Sequence, residues 1–198
     1  MQYGEMHCLG CNIRCEILPS KEFSSTQCLN RQVCIWPAVN FFFETGLKSL
    51  INSVDVIFPV SGFIFVDFSW RSIRFFMDER WIDYLGCAEM KIILLSDRKM
   101  TPLAAYYSLN EPRVSGVIYL SDDISNLKTA LRKVFIGQPL VRQTARPLTK
   151  SEKEILYLTL SNYSVSDISR ELVVDTKAVY NIRQRLEGKL GVKIRRFL

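Results

Sequence analysis

LTKSEKEIL at residues 148–156, SVSDISRELVVDTKAVY at 164–180 and KLGV at 189–192 decide the architecture of this 198-residue chain, because each helix in the stretch announces its own start. Thr149 with Glu152, and Ser164 with Asp167, have the capping-box spacing, in which a hydroxyl and an acid satisfy each other's orphan amides. Asp175 stands where a third N-cap is needed. In the third helix Val179, Ile182 and Leu186 recur at helical spacing and should face inward. Lys177, Tyr180, Asn181, Gln184, Arg185 and Gly188 then fall on the opposite face. Amide, phenol and cation on one surface are what contact with base edges and phosphates requires.

The charge is distributed to match. Residues 142–198 carry 12 Lys and Arg against 6 Asp and Glu, while residues 1–141 carry 14 against 14, so the whole net +6 resides in the last 57 residues. A basic module on a neutral body is the electrostatic footprint of a nucleic-acid binder, since phosphate neutralisation and counterion release supply most non-specific affinity.

The three strings resemble the helix-turn-helix of the LuxR/NarL family of bacterial transcription regulators, over about a quarter of the sequence. The resemblance implies an all-α C-terminal domain at 148–198 whose third helix enters the major groove of double-stranded DNA. Where the family shows Thr-Val-Lys-x-His, this chain has Ala178, Val179, Tyr180, Asn181 and Ile182, and so departs at Ala178, Tyr180 and Ile182. Asn181 and Gln184 are the candidates for base readout, because both amides can pair bidentately with adenine. Tyr180 can reach a phosphate or a thymine methyl, and Lys177, Arg183 and Arg185 are assigned to phosphates. With the sequence ending at Leu198, a fourth helix is expected to be barely a turn.

The front part has a different texture. Residues 1–30 show no sustained periodicity and hold Cys8, Cys11, Cys15 and Cys28, so they read as a Cys-rich arm. From residue 31 to 137 short apolar runs alternate with amphipathic stretches. Strands are expected at Val33–Trp36, Val56–Val60, Phe63–Asp67, Lys91–Leu95 and Val117–Leu120. Helices are expected with apolar faces Phe43/Leu47/Leu50/Ile51/Val54 and Ile73/Met77/Trp81/Tyr84/Leu85, then at Pro102–Leu109, and with the stripe Ile124/Leu127/Leu131/Val134/Phe135. Strands alternating with helices imply a mostly parallel sheet covered on both faces. Residues 138–147, bounded by Gly137 and holding Pro139 and Pro147, read as a linker.

Joined to a LuxR-type C-terminus, residues 31–137 resemble the receiver domain of response regulators, a flavodoxin-like α/β fold, in degenerate form. Only Ser61 and Gly62 separate the second and third expected strands, and a parallel crossover needs about a dozen residues. Either one receiver helix is missing there or one strand is misassigned. Asp67 matches the phospho-acceptor position and Ser96 the hydroxyl, but Trp36-Pro37 brings no acidic pair and Leu120 stands where the lysine belongs. Mg²⁺ needs oxygen ligands beyond one carboxylate, so Asp67 is read as inactive. The order of elements and the segment VNFFFETGLKSLI resemble the enterobacterial regulators of common-pilus (Mat/Ecp-type) fimbrial operons. That resemblance implies control of fimbrial or surface-structure genes by a homodimer, or by a heterodimer with a response regulator of the Rcs type.

Composition narrows the other classes. No uncharged run exceeds about a dozen residues, too short to span a bilayer, and no signal peptide is evident, so a cytosolic, nucleoid-associated protein without membrane contact is expected. His7 is the only histidine, and no phosphate-binding glycine loop or nucleophile elbow occurs, so neither an enzyme nor a cofactor is expected. His7, Cys8, Cys11, Cys15 and Cys28 could in principle furnish a tetrahedral metal or a redox site, although C-x2-C-x3-C lacks a second paired half. A protein that sequesters another regulator without touching DNA is the remaining alternative, and it gives no role to the basic module.

Overall fold

The computed structural model describes residues 4–9, 16–17, 33–54, 62–76, 78–88, 90–120, 123–140 and 146–194. Six strands form one sheet in the order β2-β1-β3-β4-β5-β6. Strands β3 (Val33–Trp36), β4 (Phe63–Phe68), β5 (Lys91–Ser96) and β6 (Val114–Tyr119) run parallel, and β1 (Met6–Cys8) and β2 (Glu16–Ile17) add an antiparallel hairpin beside β3.

The parallel strands are apolar on both faces, as helices on both sides demand. Val33, Ile35, Phe63, Phe65, Ile93, Leu95 and Ile118 pack against Leu47, Ile51 and Val54 of α1 (Phe41–Asn52) and its end, and against Leu131, Val134 and Phe135 of α4 (Ile124–Phe135). Cys34, Trp36, Ile64, Val66, Phe68 and Leu94 point the other way. They meet a 3₁₀ segment (Trp70–Phe76), α2 (Arg80–Gly86) and α3 (Thr101–Asn110). The period-2 switch from Cys34 and Trp36 to Val33 and Ile35 is the strand pleat acting directly on layer membership.

Several expectations are corrected. The arm is not separate from the domain: Met6 and Cys8 are buried in the sheet's core, and His7 pairs with Ile35 in the ladder. In the flavodoxin-like strand order 2-1-3-4-5, strand 2 lies beside strand 1, and here β1 occupies that place beside β3. The expected strand Val56–Val60 lies outside the described residues. The single helix from Trp70 to Leu85 is instead broken. Asp97 accepts from the Trp70 amide at 2.8 Å to start a 3₁₀ turn, and Asp78 accepts from the Arg80 amide at 3.0 Å just before α2. Aromatic packing rather than helical periodicity governs this segment: Trp81 stacks on Trp36 with ring centroids 5.8 Å apart, and Phe76 lies 4.2 Å from Phe68.

The linker also begins by packing. Leu140 lies over Gly116 of β6, where a Cβ would come within 2.8 Å of its Cδ1, so the small residue admits the crossing chain. At the linker's far end the Leu148 amide donates to the Pro102 carbonyl at 3.0 Å. Three helices follow: α5 (Lys150–Leu160), α6 (Val165–Leu172) and α7 (Thr176–Leu190). Leu148, Leu156, Leu160, Leu186, Leu190 and Ile194 join the same buried cluster as Trp81, Leu103 and Tyr107. Lys153 reinforces that junction, paired with Glu79 and lying 5.1 Å from the Tyr106 ring centroid. Among the described residues no helix is long and apolar enough to cross a membrane.

Candidate nucleic-acid interface

Both capping boxes form. Thr149 Oγ1 accepts from the Glu152 amide at 3.2 Å while Glu152 Oε2 accepts from the Thr149 amide at 2.8 Å. In α6, Ser164 Oγ accepts from the Asp167 amide at 3.1 Å and Asp167 Oδ2 accepts from the Ser164 amide at 3.0 Å. Asp175 has the extended backbone of an N-cap, but its side chain makes no capping hydrogen bond. The first amides of α7 therefore lack a side-chain cap at the turn between α6 and α7.

That turn is Val173-Val174-Asp175. Val173 is left-handed, with φ 53° and ψ 47°, a conformation costly for a β-branched side chain. It is held by Ser169, whose Oγ donates to the Val174 carbonyl at 2.6 Å and whose carbonyl accepts from the Val174 amide at 3.1 Å. Ile155, Leu158, Ile168 and Val179 make the small core beneath, with Leu172 and Ile182 packed on it. The expected inward residues of α7 are thus where periodicity puts them.

Outward, Lys177, Tyr180, Asn181, Gln184 and Arg185 are all exposed, Tyr180 by 61%. Positions 177, 180, 181 and 184 follow helical spacing, so these side chains form one continuous row and Arg185 flanks it. Arg183 does not join them. Its guanidinium is turned back to the Ile194 carbonyl and lies 3.4 Å from Glu187, whose carboxylate also accepts from the Ile194 amide at 2.9 Å. The residue assigned from sequence to a phosphate is, in the structure, a brace for the chain after α7. Periodicity alone hints at this, since Arg183 lies next to the Val179/Leu186 face. Sequence reasoning also passed over Arg146, Lys150 and Lys193, which are exposed cations of the same module.

A half-buried ion pair ties α7 to α5. Lys189 Nζ lies 2.6 Å from Glu152 Oε2 and 2.9 Å from the Pro147 carbonyl, so one ammonium joins linker, α5 and α7. Burial pushes the Glu152 carboxyl up, but the Lys189 ammonium and the Thr149 amide outweigh it and leave its pKa below the ordinary value.

At the carboxyl end of the parallel strands, Asp67 is completely buried. Its Oδ2 accepts from Asn40 Nδ2 at 3.2 Å and Ser72 Oγ at 3.3 Å. Burial raises its pKa against the hydrogen-bonding influence of Ser69, Asn40 and Ser72, and the Asp97 carboxylate pushes the same way. Ser69 is near enough to exert that influence, yet Asp67 Oδ1 and Ser69 Oγ both lack a partner in good hydrogen-bond geometry. Asp97, the nearby acid, is occupied by the amides of Trp70 and Met100, each at 2.8 Å. Ser96 is also fully buried and donates to the Asp97 carbonyl at 3.0 Å.

For the proposed metal set, His7 and Cys8 are consecutive in β1 and project to opposite faces of the sheet, so they cannot converge on one ion while that strand is in place. Cys8 enters the core, whereas His7 faces Glu5 and Glu44, at 3.3 and 3.6 Å. Cys11, Cys15 and Cys28 lie outside the described residues. Among the described residues no group of three or more His, Cys, Asp and Glu is placed to hold a metal.

The family model described as the EcpR N-terminal domain matches residues 7–135, from β1 to the end of α4. The chain belongs to the EcpR N-terminal domain family. Its match begins inside the segment that reads as an arm in sequence, in agreement with the place of β1 in the sheet. A relative from Escherichia coli K12, the uncharacterized protein YqeH, is 34% identical over 193 residues, covering 98% of this chain and 92% of its own length. Among solved structures, RcsB of Salmonella typhimurium is 16% identical over 77% of this chain and 89% of that one, with a TM-score of 0.37. RcsB of Salmonella enterica serovar Typhimurium bound to promoter rprA is 20% identical over 75% of this chain and 80% of that one, with a TM-score of 0.33. Scores of this size do not carry the RcsB arrangement over to this EcpR-family chain.

Proposed function

We propose that this EcpR-family protein is a DNA-binding transcription regulator in which α7 enters the major groove. The observation that carries the reading is the exposed row Lys177, Tyr180, Asn181 and Gln184, opposite buried Val179, Leu186 and Leu190, on the second helix of a helix-turn-helix in the basic C-terminal part of the chain. Asn181 and Gln184 read base edges. Lys177 and Arg185 neutralise phosphates, and Tyr180 supplies a phosphate hydrogen bond or an apolar contact. The targets are fimbrial or surface-structure genes, a reading supported by the family to which residues 7–135 belong. A single recognition helix covers one half-site, so the regulator acts as a homodimer or beside a response regulator of the Rcs type.

Control by phosphorylation of Asp67 is excluded from this proposal on physical grounds. A completely buried carboxyl facing Asn40 and Ser72 is not accessible to a phosphoryl donor, and its burial raises its pKa. Acetyl phosphate with Mg²⁺ should leave the intact mass unchanged, and stoichiometric phosphorylation of Asp67 would refute this part.

The principal test is genome-wide DNA occupancy of the native protein, with and without the Rcs-type regulator, followed by anisotropy titrations on the recovered sites. Asn181→Ala and Gln184→Ala should each cost about 1–3 kcal/mol at the preferred site and relax preference at one base pair. Unchanged site preference in both variants would remove α7 from the groove. Absence of any specific occupancy would favour a protein that sequesters another regulator.

A further inference from the structure

The geometry points to an intrachain disulfide between Cys8 and Cys34, formed under peroxide-class oxidants, as a modification site of the N-terminal hairpin. It uses Cys34, which does not belong to the cysteine cluster evident in the sequence, and it is independent of the DNA-binding reading.

The register carries the argument. Strands β1 and β3 are antiparallel, with His7 opposite Ile35 and Cys8 directly opposite Cys34. The Leu9 amide donates to the Val33 carbonyl at 2.8 Å, which makes the Leu9/Val33 position a hydrogen-bonded pair. Such pairs alternate along an antiparallel ladder, so Cys8/Cys34 is a non-hydrogen-bonded pair, where opposed Cα atoms lie about 4.5 Å apart and side chains approach most closely. That separation is within the disulfide range of about 4.4–6.8 Å, at its short end. Both side chains project to the same face and into the same buried cluster, and both are thiols in this structure. Cys34 Sγ also lies 3.9 Å from Met90 Sδ.

Access falls unequally on the two thiols. Cys8 is 4% exposed and Cys34 0%, and Cys8 lies on a three-residue strand flanked by the two-residue β2, so few hydrogen bonds separate it from solvent. Cys8 is therefore the sulfur oxidised first. Its thiolate displaces hydroxide from hydrogen peroxide: an S–O bond forms, the O–O bond breaks, and the hydroxide leaves as water with the thiol proton. Cys34 then attacks the Cys8 sulfenic sulfur. An S–S bond forms, the S–O bond breaks, and the second hydroxide leaves as water with the Cys34 proton. Two electrons pass from the two sulfurs to one peroxide. The product fixes β1 covalently to β3 and closes a loop across residues 9–33.

The test uses the full chain, reduced anaerobically, treated with a several-fold excess of hydrogen peroxide, quenched, alkylated and digested with trypsin. The expected product is Met1–Arg14 joined to Gln32–Lys48. Fragmentation then places the bond at Cys8 rather than Cys11, the other cysteine of the first peptide. The bond should be absent in Cys34→Ala and in Cys8→Ala, and reversed by dithiothreitol. Oxidised wild type should melt roughly 5–10 °C above the reduced form, as expected for closing a loop of this length. Exposed Cys87 serves as the internal control for oxidant. Full oxidation of Cys87 with Cys34 still alkylatable after unfolding would overturn the inference, as would a bond from Cys34 to Cys11, Cys15 or Cys28. The wild-type peptide map decides the matter even if a cysteine variant fails to fold.

Discussion

Replacing Asp67 by asparagine should stabilise this protein at neutral pH, although in sequence the residue resembles a phospho-acceptor. The carboxyl is fully buried and its pKa is raised, first by desolvation. A folded-state pKa above the unfolded value means that stability is fully present below the unfolded value of 3.8 and is lost as pH rises through the folded pKa. Each unit of elevation corresponds to about 1.4 kcal/mol by neutral pH. The asparagine amide oxygen can keep the bonds from Asn40 at 3.2 Å and Ser72 at 3.3 Å. Its amide nitrogen would replace Oδ1, an atom without a good partner, near the equally unsatisfied Ser69 hydroxyl. A new neutral hydrogen bond there contributes about 1 kcal/mol. The expected gain is about 1–2 kcal/mol at pH 7, or roughly 3–6 °C in Tm. Urea unfolding of both proteins between pH 4 and 8 should show wild type losing stability relative to the variant as pH rises. A variant less stable by 1 kcal/mol at pH 7, with no change in pH slope, would mean that the charged carboxylate is stabilising and that this account of the buried acid is wrong.

The C-terminal helical module yields three further tests. Lys177→Ala should lower the slope of log K against log salt by about 0.9, whereas Arg183→Ala should leave that slope unchanged and reduce Tm, because its guanidinium braces the Ile194 carbonyl; equal slopes for the two variants would contradict the assignment. Lys189→Met should cost about 1–3 kcal/mol at pH 7 by removing the charged partner of buried Glu152. Because the Glu152 pKa is lowered, that contribution is present above the ordinary carboxylate value of 4.5 and disappears as pH falls through the folded value, so a deficit that stayed constant into strong acid would refute the pairing. Val173→Asn should stabilise by about 0.5–1 kcal/mol in chemical denaturation, since asparagine tolerates the left-handed backbone that valine occupies there. A loss of stability would show that the exposed valine is held by contacts outweighing its strain.

The helix-turn-helix was legible because its signals are local. Each capping box needs only a hydroxyl and an acid three residues apart, and Val179, Ile182 and Leu186 define the inner face of α7 by spacing alone. Val33–Trp36 was legible as a strand because four consecutive apolar residues have no other satisfactory environment at that length. The segment Trp70–Gly86 was misread for the opposite reason. Its apolar residues match a helical stripe, but Asp97, twenty-seven positions beyond Trp70, supplies the acceptor that starts a 3₁₀ turn, and Asp78 restarts the chain as α2. The side-chain destination of Arg183 likewise depends on Ile194, beyond the helix itself.

Strand β1 shows how far long-range pairing can override a local reading. Met6–Cys8 is too short for any period to emerge, and its charge and cysteine content resemble a solvated arm. In the sheet, however, two of its three side chains complete the core beside Cys34 and Trp36, while His7 meets the buried Glu44 on the opposite layer. The hairpin therefore has two consequences at once. It covers the edge of β3 that would otherwise expose backbone donors and acceptors, and it separates His7 from Cys8 across the sheet. A metal site that used both His7 and Cys8 would therefore require β1 to leave the sheet, whereas the proposed pairing of Cys8 with Cys34 requires it to stay.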